Sequence, residues 1–377
     1  MDKQIYPPSI TGKGASFATG GSVFDHAFGK GEPYTLGVEE EYMLLDGETF
    51  DLVQHIDSVL AAVHGHELEA RINPELMQSV LEIATPVCRT AADVEEQLRK
   101  IRAYVCDVAR TDGMRVGSAG THPFSLFERQ RITARDRYRN LVDQLQYVAR
   151  RELIFGMHVH VAVDDPEKAI QVVNGLLVHL PQLLALSASS PFWRGEPTGL
   201  SSSRQMVFAA FPRSGPPPRF NDYADYAAVV GQLERTGCIA DYTHIWWDIR
   251  LHPRLGTVEI RICDATTRIE DVVAITAYCQ ALVKHYCELH ERGEPLMDLA
   301  TGRRNRAAVA QLIRRTLKQI EPHARELGSE RELEGIVEIL ARGNGADRQL
   351  RVFNANRDIV EVVREIADAT EVAAIPA

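Results

Sequence analysis

Residues 35–45 read Thr-Leu-Gly-Val-Glu-Glu-Glu-Tyr-Met-Leu-Leu. Three successive carboxylates among strand formers restrict the chain to few arrangements. Side chains in a strand point alternately to opposite faces, so Glu39 and Glu41 share one face and Glu40 takes the other. Two carboxylates on one inward face repel each other and lose hydration. A cation between them would offset both costs, and Mg²⁺ typically takes one or two carboxylates together with substrate phosphates. An exposed acidic edge strand that resists aggregation is the other reading. The run by itself leaves both open.

The same i, i+2 spacing recurs. His158 and His160 lie in GMHVHV, Arg250 and His252 in DIRLHP, Glu259 and Arg261 in TVEIRI, and Glu82 stands alone among apolar residues in VLEIATP. One such pair usually marks a solvent face. Four pairs of complementary chemistry read as the inner face of a sheet built as an active site. The carboxylates of Glu39, Glu41, Glu82 and Glu259, with a neutral His158, suit divalent metals. Arg250 and Arg261 suit bidentate contacts to phosphate or carboxylate. His160, His122 in a Gly/Pro loop, and Arg194 and Arg204 around the loop SPFWRGEPTGLSSSR are candidates for substrate contact. A plain surface loop is the equal alternative for the last three.

Other chemistries are excluded. GLSSS is not a nucleophile elbow, and HVH is not HExxH. There is neither GxGxxG nor a Walker loop, which disfavours a doubly wound nucleotide fold. Cys263 reads as a small buried filler rather than a nucleophile. The net charge of −10 argues against nucleic acid as a partner. The six cysteines form no CxxC pair, which points to reduced thiols and the cytosol rather than structural zinc. With no signal peptide and no apolar run of about 18 residues, no membrane association is expected.

Residues 1–33, rich in Gly, Ser and Pro, read as a flexible N-terminal arm, and 34–377 as a single catalytic domain. Strands are expected in TLGVEEEYMLLD, QSVLEIATPV, MRVG and LIFGMHVHVAV, with a hairpin from IWWDIRLHP to GTVEIRICD. Helices are expected over Thr90 to about Thr111, from Asp165-Pro166 through a mostly apolar stretch to Ser190, and over 270–291, 307–321, 330–342 and 357–369. Hairpin-paired strands interspersed with long helices give an α+β fold with an antiparallel sheet.

As a set, GVEEEY, LEIATP, GTHPF, GMHVHV, SPFW…TG…SxR, TVEIRICD and GADRQL resemble the bacterial carboxylate–amine ligases of the glutamate–cysteine ligase type 2 family, in the same order over about residues 34–370. The resemblance implies a glutamine-synthetase-like fold, in which a curved antiparallel sheet forms a funnel with helices outside. It implies ATP-dependent amide formation through an acyl phosphate, joining the γ-carboxylate of glutamate to cysteine or another amine. It further implies Mg²⁺ or Mn²⁺ held by Glu39, Glu41, Glu82, His158 and Glu259. Arg261 would act on the transferring phosphate and Arg250 on phosphate or substrate. His160, His122, Arg194 and Arg204 would contact substrate. The partners would be small molecules (the amino acid carboxylate, the amine and ATP), with a homodimer as the default oligomer.

The sequence departs from the family pattern twice. Gly195-Glu196-Pro197-Thr198-Gly199 stands where the family carries Gly-x-Asp-Thr-Gly. After Pro295-Leu296 the family continues with a segment of roughly two dozen residues, long enough for a functional loop, and here Met297-Asp298 follows directly. A true loss would favour a degenerate member that binds nucleotide or amino acid without turnover. A phosphotransferase on the same fold is the remaining alternative.

Overall fold

β1 (Leu36–Asp46) is long enough, at eleven residues, to pair with three other strands. In the computed structural model, which describes residues 25–296 and 306–371, it is the axis of a seven-stranded sheet. The other strands are β2 (Ile72–Pro74), β3 (Val80–Ala84), β4 (Met114–Gly117) and β5 (Met157–Ala162). Two short ribbons outside the sheet follow: β6 (Phe192–Trp193) with β7 (Glu196–Pro197), and β8 (Ser214–Gly215) with β9 (Trp246–Trp247). The hairpin β10 (Ile249–His252) and β11 (Thr257–Ile260) completes the main sheet. The order is β10-β11-β5-β1-β3-β2, with β4 also on β1, and every pairing is antiparallel.

Period-two alternation sorts every strand. Leu36, Val38, Tyr42 and Leu44, then Leu81, Ile83, Val159, Val161, Ile249, Leu251, Val258 and Ile260, all enter one hydrophobic core. Helices cover that face. Helix 91–111 begins at Thr90, whose side chain accepts from the Asp93 N–H while Asp93 reciprocates in a capping box. It contributes Val94, Leu98, Ile101 and Val105, and helix 269–291 is buried along most of its length. Farther along β1, Met43 and Leu45 turn to a second core, closed by Val362, Val363 and Ile366 of helix 359–370. Burying such side chains is worth about 1.5–3 kcal/mol each, so the alternation itself fixes which face is left for chemistry.

Several elements differ from the sequence reading. The apolar stretch after Asp165 is not one helix. Helix 166–176 gives way to a 3₁₀ turn at 177–179, and Pro181 opens a new helix over 180–187, where its missing N–H is tolerated. Pro166–Ser187 is, by length and composition, apolar enough to cross a membrane, although no such run was expected; its most apolar 18-residue window is 67% buried. Helices 136–145, 223–235 and 345–356 were not anticipated. The expected N-terminal arm is docked where it is described. Phe28 is buried against Tyr223, and Ala27 N–H donates to the Pro253 carbonyl at 2.8 Å. Residues 1–24 of that arm, and Met297–Asn305, which follow the point where the sequence departs from the family pattern, lie outside the described residues.

Candidate active site

The face left by the core holds the polar set. Register places Glu39 opposite His158, Glu41 opposite Glu82, and both His160 and Arg250 opposite Glu259. All seven, with Arg204 and Arg261, line one cavity of about 480 Å³. Glu40 points into the helical layer instead, as alternation requires.

Two groups of potential ligands form. In the first, one ligand atom each from Glu39, His160 and Glu259 lie within 4.8 Å of one another. His158 Nδ1 is 3.1 Å from Glu39 Oε2. His160 Nδ1 meets Thr257 Oγ1 at 3.0 Å, while its Nε2, buried without a hydrogen-bond partner, lies 3.5 Å from Glu39 and 3.9 Å from Glu259. With a cation in the gap, Nδ1–H would donate to Thr257 and Nε2 would present its lone pair, as a second-shell hydroxyl arranges for a metal-binding imidazole; in the metal-free site burial opposes protonation of His160, but Glu259 and Glu39 outweigh it and raise its pKa. The second group is Glu41, Glu75 and Glu82, an all-oxygen set that suits Mg²⁺ or Mn²⁺. These donors fit divalent cations.

Electrostatics separates the groups. Burial opposes ionisation of Glu39, but His158 and His160 outweigh it and hold the carboxyl well below the usual range. Burial opposes ionisation of Glu259 too, yet Arg250 and Arg261 keep it ionised. Burial pushes Glu41 up to about 7, Glu75 adding and Arg204 opposing. Burial also raises Glu75, and raises Glu82 well above the carboxylate range with help from Glu39, Glu75 and Glu41. Burial lowers His158 to about 4, with Arg261 assisting, so its imidazole is neutral.

A pH dependence follows. Below its ordinary value of 4.5 Glu41 is protonated in both the folded and unfolded chain and costs nothing. As pH rises toward about 7 the unfolded chain ionises first, so the metal-free protein loses stability. A cation bound by the ionised trio removes that penalty. After EDTA treatment, Mg²⁺ or Mn²⁺ is therefore expected to raise the melting temperature more at pH 8 than at pH 5. A shift independent of pH would count against this trio as a binding site.

The arginines differ. Arg250 donates from Nε and Nη2 to Glu259 at 2.7 and 3.1 Å, and from Nη1 to the Thr243 and Ile245 carbonyls at 3.0 Å each. Four of its five donors are thus committed to protein groups, which suits it to orient Glu259 more than to grip phosphate. Arg261 shares Glu259 through Nη1 and keeps a buried Nε without a partner. Arg204 donates to the Ile262 and Arg261 carbonyls at 3.2 and 3.3 Å, and its Nε is likewise unpartnered.

Two candidates do not reach the cavity. The His122 ring is buried elsewhere, Nε2 meeting the Phe50 carbonyl at 2.9 Å and Nδ1 accepting from the Ser125 N–H at 2.9 Å. Arg194 pairs with Glu128 at 2.6 Å and lies over Phe127, half-exposed. The loop 191–203 also stays outside. It is pinned to the buried Asp264 carboxylate, which accepts from the hydroxyls of Ser190 and Ser202 at 2.7 and 2.9 Å. Burial pushes the Cys263 thiol up to about 12, leaving it inert. The cavity also contains Glu75, Arg137, Glu152, Phe208 and Phe211, which no strand pattern announced, and Trp246, which shares the parity of Arg250 and His252 in the expected strand and packs on Phe211.

Two solved structures share this fold. A bifunctional glutathione synthetase from Pasteurella multocida superposes with a TM-score of 0.64 at 15% identity, over 89% of this chain and 53% of that one. The glutamate–cysteine ligase of Francisella tularensis, solved in complex with AMP, gives 0.58 at 13% identity over 92% and 91%. The chain shares with them its fold, an antiparallel sheet with helices packed outside. In sequence, a Rubrobacter xylanophilus protein provisionally named glutamate–cysteine ligase 2-1 is 41% identical over 357 residues, covering 89% of this chain and 95% of its own. A Sorangium cellulosum relative, provisionally named glutamate–cysteine ligase 2, is 40% identical over 358 residues, covering 89% and 96%. Residues 35–367 match glutamate–cysteine ligase family 2, and the chain belongs to that family of ATP-dependent carboxylate–amine ligases.

Proposed function

We propose that the protein joins an amino acid carboxylate, the γ-carboxylate of glutamate, to cysteine or another amine, and that it uses Mg²⁺ or Mn²⁺ to do so. The observation that carries this reading is the meeting of two carboxylate groups and the arginines Arg261 and Arg204 in one cavity. A carboxylate is a poor electrophile. Phosphorylation by ATP makes it an acyl phosphate, and the amine then displaces phosphate. Divalent metal would be held by Glu39, His158, His160 and Glu259 and by Glu41, Glu75 and Glu82, and when bound it neutralises phosphate charge. Arg261, with an unpartnered Nε, supports the transferring phosphoryl group. Arg250 holds Glu259 in place. Positioning and fixed charge supply most of the rate in such transfers. The setting proposed is the cytosol, with a homodimer as the default assembly.

ADP release with ATP, Mg²⁺ and glutamate, with and without an amine panel that includes cysteine, tests this when products are identified by mass spectrometry. Amine-dependent ADP with a new amide is the expected result. ADP formed without any amine would instead indicate a phosphotransferase. ATP binding without ADP would indicate a degenerate binder.

A further inference from the structure

We propose that Glu152 receives the acceptor amine as its ammonium ion and takes the proton that frees the nitrogen to attack. The assignment rests on the ligase reading above. Glu152 lines the same cavity as the two ligand groups but belongs to neither. Its Oε2 is sealed from solvent and has no hydrogen-bond partner among the described residues. A buried carboxylate oxygen left bare is costly, and inside a substrate cavity the simplest partner is a donor that arrives with substrate. Its charged neighbours are of both signs: Arg204 acts on it most strongly, then Glu41, Arg151 and Glu75.

The neighbourhood is held by the backbone. Arg151 donates to the Val207 carbonyl at 3.2 Å, tying this segment to helix 204–208. Glu152 shares the cavity with Glu41 and with Arg204, whose own Nε also lacks a partner among the described residues. Burial pushes the Glu152 carboxyl up to about 8, against the pull of Arg204 and with the push of Glu41.

The step balances. The ammonium R–NH₃⁺ gives one proton to Glu152 and becomes R–NH₂. The nitrogen lone pair forms the C–N bond at the acyl phosphate carbon. The bond from carbon to phosphate oxygen breaks, and phosphate leaves with that electron pair. It also takes the second proton lost by nitrogen, departing as hydrogen phosphate. Glu152 then releases its proton to solvent.

Hydroxylamine separates the roles, because it is an uncharged nucleophile at neutral pH and traps an acyl phosphate as hydroxamate without needing a base. Wild type, Glu152→Gln and Glu152→Asp are assayed with ATP, Mg²⁺ and glutamate, using hydroxylamine in one arm and ammonium, ethylammonium and cysteine in the other. Glu152→Gln is expected to keep hydroxamate formation near wild type while losing amide formation by about 10²-fold or more, with recovery as pH rises. Glu152→Asp is expected to restore part of the amide rate. Equal loss in both arms, or no loss in either, would overturn the assignment and leave the ligase reading standing. Absence of hydroxamate from wild type would overturn both.

Discussion

Glu39→Gln is expected to lower ATP turnover by about 10³-fold, the scale of removing one preorganised electrostatic contact at a charge-transfer centre, and to lower the melting temperature at neutral pH as well, because a carboxyl held well below its usual range stabilises the fold in its ionised form. Glu39 is suited to this test because, among the described residues, it makes no ion pair with arginine. Its partners are His158 at 3.1 Å and His160 at 3.5 Å, and a carboxamide of the same shape can still hydrogen-bond to an imidazole. The charge is what disappears. Without it the gap facing His160 Nε2 keeps only Glu259, and Glu259 is already engaged by Arg250 and Arg261. The loss should appear in turnover and in the Mg²⁺ concentration needed for half-maximal rate, read from steady-state ADP release. Turnover near wild type at ordinary Mg²⁺ would remove Glu39 from the site.

Glu259→Gln would be a poorer probe of the same group. It would also strip the partner from Arg250, which is buried, and a buried guanidinium without its counter-charge destabilises the fold. Two neighbouring carboxylates in one cavity therefore call for different expectations: loss at Glu39 leaves no buried arginine without its counter-charge, whereas loss at Glu259 adds that cost to the effect on chemistry.

What the sequence disclosed about this site was what alternation carries. Glu39, Glu41, Glu82, His158, His160, Arg250 and Glu259 all lie on regular strands, where side-chain direction follows from parity alone, and all reach the cavity. Glu75, Arg137 and Glu152 do not. Glu75 directly follows the three-residue β2 and enters because β2 pairs with β3, Asn73 opposite Glu82. Arg137 sits at the start of helix 136–145, where parity means nothing. Glu152 precedes β5 in an irregular stretch whose direction is set by long-range contacts. His122 and Arg194 fail for the converse reason. A Gly/Pro-rich context announces a loop but not its direction, and these two turn toward Phe50 and Glu128. The fold was legible because its strands and helices are long and periodic. The helices it left unannounced, such as 223–235, lie outside the strand pattern that organised the reading.

The reverse of the sheet carries the largest expected stability effect. Glu40, the carboxylate that alternation turns away from the cavity, is fully buried and meets Arg102 of helix 91–111 through both of its oxygens. Tyr42 donates its hydroxyl to Glu40 at 2.5 Å, and Arg102 also donates to the Thr267 and Thr266 carbonyls at 2.7 and 3.1 Å. Desolvation works against the guanidinium, but Glu40 and Tyr42 outweigh it and hold Arg102 charged above its ordinary range. Arg102→Met leaves a buried carboxylate and two carbonyls without their donor, and should cost about 3–5 kcal/mol in urea unfolding. Glu40→Leu strands the guanidinium at similar cost. The double variant Glu40→Leu/Arg102→Met should cost well under the sum, because neither charge remains to be desolvated and packed apolar groups of similar volume replace such a pair with little penalty. Additive losses would mean that the pair contributes independently through packing rather than as a coupled charge. Because this network backs the strand that presents Glu39 and Glu41, a destabilised single variant should also bind Mg²⁺ more weakly, and the double variant should recover part of that affinity as its stability returns.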